Sequence, residues 1–411
     1  MVERPPHYGD RIAVDQQEGG GSPTVIYPGN GVAVSVLVIA ALFVLTQLYA
    51  AIPLLGPVGI SMEADATFAL STCFSVTYAV GFLIWGPISD RYGRKKVMTA
   101  SIGVLAVVTL LCSGASSLPI LAGLRALQGA AASGFAPVAL AYLTEAVAPR
   151  WRARAIGAMS AAFLVAGIFG QVLASTIALR ASWSWFFVVC GVVLAMIFTI
   201  ILFFVVEVPN HTPSMTLLQQ FGNLVVILFR PAIVLLGIAH ITLLLSFVAL
   251  YTGIGHHLED LHVAASNIIL IRLAALPAMF ISLGVGALAE RIGAIRVAQV
   301  GFGLAAVGML GEAFTDQTIF DVVASSVVYV SGVALSIPSM IMLYGETAAP
   351  HRGSGMAING FVLFVGASIG ALVGKAIGGF GTLTLTLVAL LGLAAISLLT
   401  LGAIQRKESL S

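Results

Sequence analysis

The sequence predicts an all-α membrane protein, with twelve transmembrane helices in two pseudo-symmetric six-helix bundles. Three observations predict it. The 411 residues are 59% hydrophobic and 9% charged, with a mean hydropathy of +1.06, too apolar for a water-facing surface. The apolar runs are long and continuous rather than alternating. Lipid admits only helices or closed barrels, and continuous runs select helices. Finally, the charged stretch Gly86-Pro87-Ile88-Ser89-Asp90-Arg91-Tyr92-Gly93-Arg94-Lys95-Lys96-Val97 returns as Gly286-Ala287-Leu288-Ala289-Glu290-Arg291-Ile292-Gly293-Ala294-Ile295-Arg296. Glycine, acid, arginine and glycine recur in register at 86/286, 90/290, 91/291 and 93/293.

In chain order, residues 1–33 are polar and rich in Gly and Pro, and read as a flexible cytoplasmic tail. They do not read as a secretory signal, because the first apolar run starts far from Met1 and is too long. About twenty apolar residues span a bilayer. That ruler gives spans near 34–54, 67–88, 97–114, 118–145, 153–178 and 183–206 for a first bundle (34–206). For a second bundle (231–404) it gives 265–288, 296–314, 319–346, 353–378 and 382–404 after a first span at 231–254. Residues 207–230 form one long polar connection, read as a cytoplasmic linker, and 405–411 a short cytoplasmic tail.

An N-terminus inside the cell puts fifteen of the nineteen Lys and Arg residues on inner segments, so both termini are expected in the cytoplasm. Trp183 and Trp185 then open span 6 at the outer interface, and Trp151 lies at the inner one. The net charge of +2 implies no nucleic-acid partner. Cys73, Cys112 and Cys190 all fall in apolar runs and read as small buried hydrophobes.

The duplication has a second register. Pro137, Glu145 and Pro149, near the end of span 4, match Pro338, Glu346 and Pro350, each 201 residues on. The doubled loop resembles Gly-x-x-x-Asp-Arg-x-Gly-Arg-Lys/Arg, found between helices 2 and 3 of the major facilitator superfamily of transporters. The resemblance covers roughly residues 30–405. It implies rocking of two bundles about a midplane site. It also implies a cytoplasmic gate of Asp90, Arg91, Arg94, Glu145 and Arg152, echoed by Glu290, Arg291 and Glu346. Asp90 would approach the helix starting near Gly353, whose positive end favours a carboxylate, and Arg94 would pair with Glu145. Such a layer latches the halves together, or else the charges only fix topology.

Arg125 lies within span 4, in Leu121-Ala-Gly-Leu-Arg125-Ala-Leu-Gln128-Gly129. A membrane-embedded arginine is costly and needs a cavity or a partner. The pattern resembles the helix-4 motif of the drug:proton antiporters, which implies a coupling role for Arg125. The plain alternative is a structural arginine bonded to carbonyls and Gln128. In span 5, Gly157, Ala166, Gly170, Gln171, Ala174 and Ser175 keep the spacing of the antiporter helix-5 signature, with Gln171 where that signature has proline. Gly157 and Gly170, with Gly86 and Gly93, are expected to serve helix packing. Span 11 carries Gly366, Gly370, Gly374 and Gly378 as a close-packing stripe.

Arg272, within span 8, makes a cationic cavity with Arg125 or snorkels to a helix end. His240, mid-span 7, is a proton site, or a buried histidine bonded to Thr242 or Ser246. Span 1 offers Gln47 and Tyr49, and no Asp or Glu falls near the middle of any span. The loop His256-His257-Leu258-Glu259-Asp260-Leu261-His262 lacks a defined metal spacing, and no metal or cofactor is implied. By the resemblance, spans 1, 4, 7 and 10 line the cavity. Its candidates are Gln47, Tyr49, Arg125, Gln128, His240, Tyr251, Ser331 and Ser336.

No nucleotide-binding loop or nucleophile constellation suggests an enzyme. The reading is a secondary transporter in the cell membrane, acting as a monomer on a small-molecule substrate. It exports hydrophobic or amphipathic compounds, with the proton as coupling ion. The rival readings are an organic-anion importer or exchanger using Arg125 and Arg272 as ligands, and a membrane sensor on a transporter scaffold.

Overall fold

A computed structural model describes residues 13–14, 25–26, 31–207, 216–260, 273–314, 319–349 and 352–408. In the N-terminal segment it describes only a two-residue antiparallel pairing of Ala13–Val14 with Val25–Ile26. The rest is helix. In the first bundle these are α1 (Gly31–Tyr49), α2 (Ala51–Met62), α3 (Cys73–Tyr92), α4 (Arg94–Cys112), α5 (Leu118–Ala132), α6 (Ala136–Ala146), α7 (Pro149–Arg180) and α8 (Trp183–Phe204). After α9 (Leu217–Leu228), the second holds α10 (Pro231–Asp260), α11 (Leu276–Met279), α12 (Val285–Ile292), α13 (Ala294–Phe314), α14 (Ile319–Thr347), α15 (Arg352–Ala376) and α16 (Phe380–Glu408).

Eleven helical stretches among the described residues are long and apolar enough to cross a membrane. Three elements depart from expectation. Span 1 does not stop at 54: α1 runs almost unbroken into α2. The hinge at Ala50 is explained by Pro53, which cannot donate to the Tyr49 carbonyl. The eighth span, expected at 265–288, is described only from Leu273. There it is a series of short pieces: α11, a 3₁₀ turn at Phe280–Gly284, and α12. The polar linker contains α9, started by a capping box in which Thr216 Oγ1 accepts from Gln219 N–H and Gln219 Oε1 from Thr216 N–H.

The duplication is visible in packing. In the first bundle α1 packs on α7 and α8, and α4 on α5 and α8. In the second α10 packs on α15 and α16, and α13 on α14 and α16. The doubled loop is also one shape twice. Gly93 (φ 106°) and Gly293 (φ 88°) each end one helix and begin the next. Val97 and Val297 N–H each bond back to that glycine's carbonyl at 3.2 Å. Such positive φ values favour glycine. Across the interface between bundles α3 faces α15, and α7 faces α11 and the 3₁₀ turn. We call the membrane face carrying this doubled loop the motif face.

Candidate functional site: a cleft between the bundles

The cleft is lined by α1, α3, α6 and α7 from one bundle and α14 and α15 from the other. Counted out to open solvent, its empty space is about 610 Å³. Phe82, Leu140, Phe163, Ile341, Met356 and Phe364 set its apolar character, and among the described residues its only polar side chains are Tyr49 and Asn359. Rings join the bundles along one wall: Tyr78 stands edge-on to Phe364 at 4.4 Å, and Phe82 lies 5.2 Å from Phe364. Tyr49 meets Phe247 of α10 edge-on at 5.7 Å.

Of the residues expected to line a cavity, only Tyr49 does so. Arg125, Gln128 and Gln47 are buried inside the first bundle. Arg125 donates to the Leu70 carbonyl (2.8 Å), the Gln47 carbonyl (2.9 Å) and Gln128 Oε1 (2.5 Å), with its guanidinium 4.4 Å above the Phe74 ring. Gln128 Nε2 donates to Gln47 Oε1 (3.0 Å) and Thr109 Oγ1 (2.7 Å). Arg125 is thus placed inside the bundle, bonded to carbonyls and Gln128, and is not among the residues lining the cleft. The membrane cost of the charge is met by carbonyl dipoles and an amide. Tyr251 bonds Ser326 at 3.2 Å, and Ser331 and Ser336 bond carbonyls of their own helix, all away from the cleft. Arg272 lies outside the described residues, as do Leu261 and His262; residues 256–260, expected in a loop, are helix instead, because α10 runs on past the expected span end at 254.

His240 is buried, but neither Thr242 nor Ser246 partners it. Those hydroxyls bond backbone carbonyls of α10, and Ser246 also meets Tyr329. The partner is Asn359, whose Nδ2 lies 3.0 Å from His240 Nε2. The other ring nitrogen, Nδ1, has no hydrogen-bond partner among the described residues, nor has the hydroxyl of Tyr344, whose ring is 5.5 Å away. Asn359 escaped the sequence reading because lining was assigned to spans 1, 4, 7 and 10. An amide within an otherwise apolar span was the available signal. Glu312, fully buried near the end of α13, is a carboxyl that reading passed over.

On the motif face, Arg94 pairs with Asp90 and with Glu145 (2.9 Å), and donates to Ser89 Oγ at 2.6 Å. All of these belong to one bundle. Glu207 accepts from the Lys95 and Lys96 backbone N–H groups (2.9 and 3.2 Å), placing an anion at the start of α4. The second copy builds no matching triad, because Ala294 stands where Arg94 would be; Glu290, Arg291 and Glu346 are exposed. Arg91 is exposed too, while the side chain of Arg152 and the end of α15 that Asp90 was expected to approach lie outside the described side chains. On the opposite face an ion pair does cross between bundles, Lys375 of α15 with Asp65. The Lys375 hydrogen bond holds the Asp65 carboxyl down to about 2, helped by Thr67.

The packing glycines divide. Gly170 leaves α7 against Thr46 of α1, where an added Cβ would stand 3.1 Å from backbone atoms. Gly93 faces the Glu207 carboxylate. Gly157 and Gly86 have open space around them, so neither serves close packing. In the stripe on α15, Gly366, Gly370 and Gly374 lie against the α10 backbone carbonyls of Ile241, Leu245 and Ala249, and Gly378 lies against nothing.

Comparison with known proteins agrees with this architecture. An uncharacterized transporter of Buchnera aphidicola subsp. Schizaphis graminum is 27% identical over 308 residues, 74% of each chain. The multidrug export protein EmrB of Haemophilus influenzae is 32% identical over 116 residues, 28% of this chain and 23% of that one. The crystal structure of the human organic anion transporter MFSD10 (TETRAN) superposes with a TM-score of 0.69 at 16% identity, covering 90% of this chain and all of the other; it bears on the fold alone. The family model for the Major Facilitator Superfamily matches residues 34–371. With its doubled loop, matched helix pairs and inter-bundle cleft, the chain is a transporter belonging to the Major Facilitator Superfamily.

Proposed function

We propose that the protein exports small hydrophobic or amphipathic compounds across the cell membrane in exchange for protons, by alternating access and as a monomer. The carrying observation is the cleft, walled by aromatic and aliphatic side chains with two polar groups. A sugar would need many more donors and acceptors. With both termini cytoplasmic, the motif face is the inner one. The Asp65–Lys375 bridge then supports a state closed to the outside, and Asp90, Arg94 and Glu145 serve as a bundle-internal support of the inner gate. The short match to a multidrug export protein points the same way. The organic-anion reading is weakened by the internal bonding of Arg125.

The test is reconstitution in liposomes holding an internal pH dye, with an imposed proton gradient. Cationic and neutral amphiphiles are expected to drive proton flux and organic anions are not. Flux with anions alone, or anion exchange without proton movement, would overturn the reading.

A further inference from the structure

Among the described residues Asn359 is the one polar side chain that the second bundle offers to the cleft, and its amide is held from behind by His240. An amide has two unlike ends, a carbonyl acceptor and an NH₂ donor. Whichever end His240 takes, the other is left for the cleft. In the geometry described, Nδ2 faces His240 Nε2. In the neutral tautomer with its proton on Nδ1, that nitrogen accepts from Nδ2 and Oδ1 of Asn359 is available to a ligand.

Protonating the ring reverses the arrangement. Both ring nitrogens then carry hydrogen, Nε2–H needs an acceptor, and only Oδ1 of Asn359 can supply it. The amide must turn by half a rotation, presenting its NH₂ group to the cleft. We propose that His240 and Asn359 form a proton-reversed reader of the substrate. The neutral ring selects compounds that donate a hydrogen bond, such as amphipathic primary amines, and the protonated ring rejects them.

Among the described residues no other titratable group stands close enough to take over this part; Tyr49 of α1 meets α10 at Phe247, seven residues from His240. From the elements packed on α10, Tyr344 of α14 faces the ring at 5.5 Å. Tyr329 of α14 is bonded to Ser246, further along α10. The charged residues of α14, α15 and α16 (Asp321, Glu346, Arg352, Lys375, Arg406, Lys407 and Glu408) all sit at helix ends, and α2 and α9 carry none. On α10 itself, Tyr251 is bonded to Ser326, and His256, His257, Glu259 and Asp260 lie at least sixteen residues from His240, about 24 Å along a helix. Nδ1 of His240 has no partner among the described residues that would pin the ring in one protonation state.

This inference rests on the exporter reading of the cleft and adds the substrate class and its exclusion by the proton. The experiment uses the full chain in lipid nanodiscs and two probes of one shape, 2-naphthylmethylammonium and its N,N,N-trimethyl analogue. Both are cations; only the first donates a hydrogen bond. Binding is measured by calorimetry between pH 8 and pH 4.5, with protons released on binding read by a dye. At high pH the wild type should bind the donor probe at least tenfold more tightly. That preference should vanish at low pH, where binding the donor probe releases a proton.

His240→Gln should bind both probes with no pH dependence. Asn359→Leu should bind both equally at every pH. Proton release in the wild type decides the matter even if a variant fails to fold. Donor preference persisting in Asn359→Leu, pH dependence persisting in His240→Gln, or no proton release in the wild type would overturn the reader while leaving the cleft intact. Failure of the wild type to bind either probe at any pH would overturn the exporter reading, and the reader with it.

Discussion

Arg125 in the first bundle and His240 in the second are both buried in helices facing lipid or protein, and their surroundings differ in kind. Arg125 donates to two carbonyls and an amide, lies over a ring, and touches no part of the cleft. His240 has one bond, to a residue that does line the cleft, and a second ring nitrogen with no partner among the described residues. A satisfied network fixes one structure; a half-satisfied one has an alternative arrangement open to it. On the proposed reading the more conspicuous charge is the structural one, and the quieter imidazole has room to change state. The second bundle gets its rigidity elsewhere, from the glycine stripe of α15 seated on the α10 backbone.

Four measurements can break or sharpen that contrast. The largest effect is expected from Arg125→Ala, which takes the guanidinium from Gln128 Oε1 and from two buried carbonyls. Each unsatisfied group costs about 1–3 kcal/mol, so unfolding in detergent should show a loss of about 3 kcal/mol or more. A loss under about 1 kcal/mol, well below the cost of two stranded groups, would mean that the network is not structural. Next is Gly370→Leu, which drives a side chain into the Leu245 carbonyl. Overpacking of this kind costs about 1–3 kcal/mol. As the control for that second measurement, Gly157→Ala should be neutral or stabilising by up to about 1 kcal/mol, because its surroundings are open and alanine favours helix.

Third, His240→Gln should shift unfolding by less than about 1.5 kcal/mol, one hydrogen bond's worth. In the liposome assay, however, it should flatten the pH dependence of flux. A large loss of stability with an unchanged pH profile would make His240 the structural group instead. The smallest effect belongs to the exposed Asp65–Lys375 bridge, worth about 0.2–1 kcal/mol and screened by salt. Asp65 is depressed to about 2 by Lys375, so the bridge contributes fully above the ordinary carboxyl value near 3.8 and is lost as pH falls through about 2. Asp65→Asn should increase labelling of a cysteine placed at the opposite-face seam, and high salt should mimic it. Unchanged labelling would remove the bridge from gating.

Much of this was legible because it repeats. Glycine at 93 and 293 announced two helix ends, and the structure makes both with positive φ. The echo expected of Glu290, Arg291 and Glu346 lacks an arginine at the position of Arg94, where the second copy has Ala294. What could not be read was facing. Arg125 was recognisable as a charge in need of partners. Two of those partners are backbone carbonyls 55 and 78 residues away, and a carbonyl leaves no mark in a sequence. Asn359 was visible as an amide in an apolar run, but the side of α15 that it occupies depends on the glycine contacts with α10, which are tertiary.

Those contacts between Gly366, Gly370 and Gly374 and the carbonyls of α10 have a consequence for time rather than space. Backbone seated on backbone leaves no slack for α15 to slide on α10, so under the proposed alternating access His240 and Asn359 would travel together. What changes across the cycle is the opposing wall, where Tyr49 and Phe82 belong to the other body. A proton acquired while one compartment has access would therefore still be registered when the other compartment gains it. The pair would act as a one-bit memory, written on one side of the membrane and read on the other.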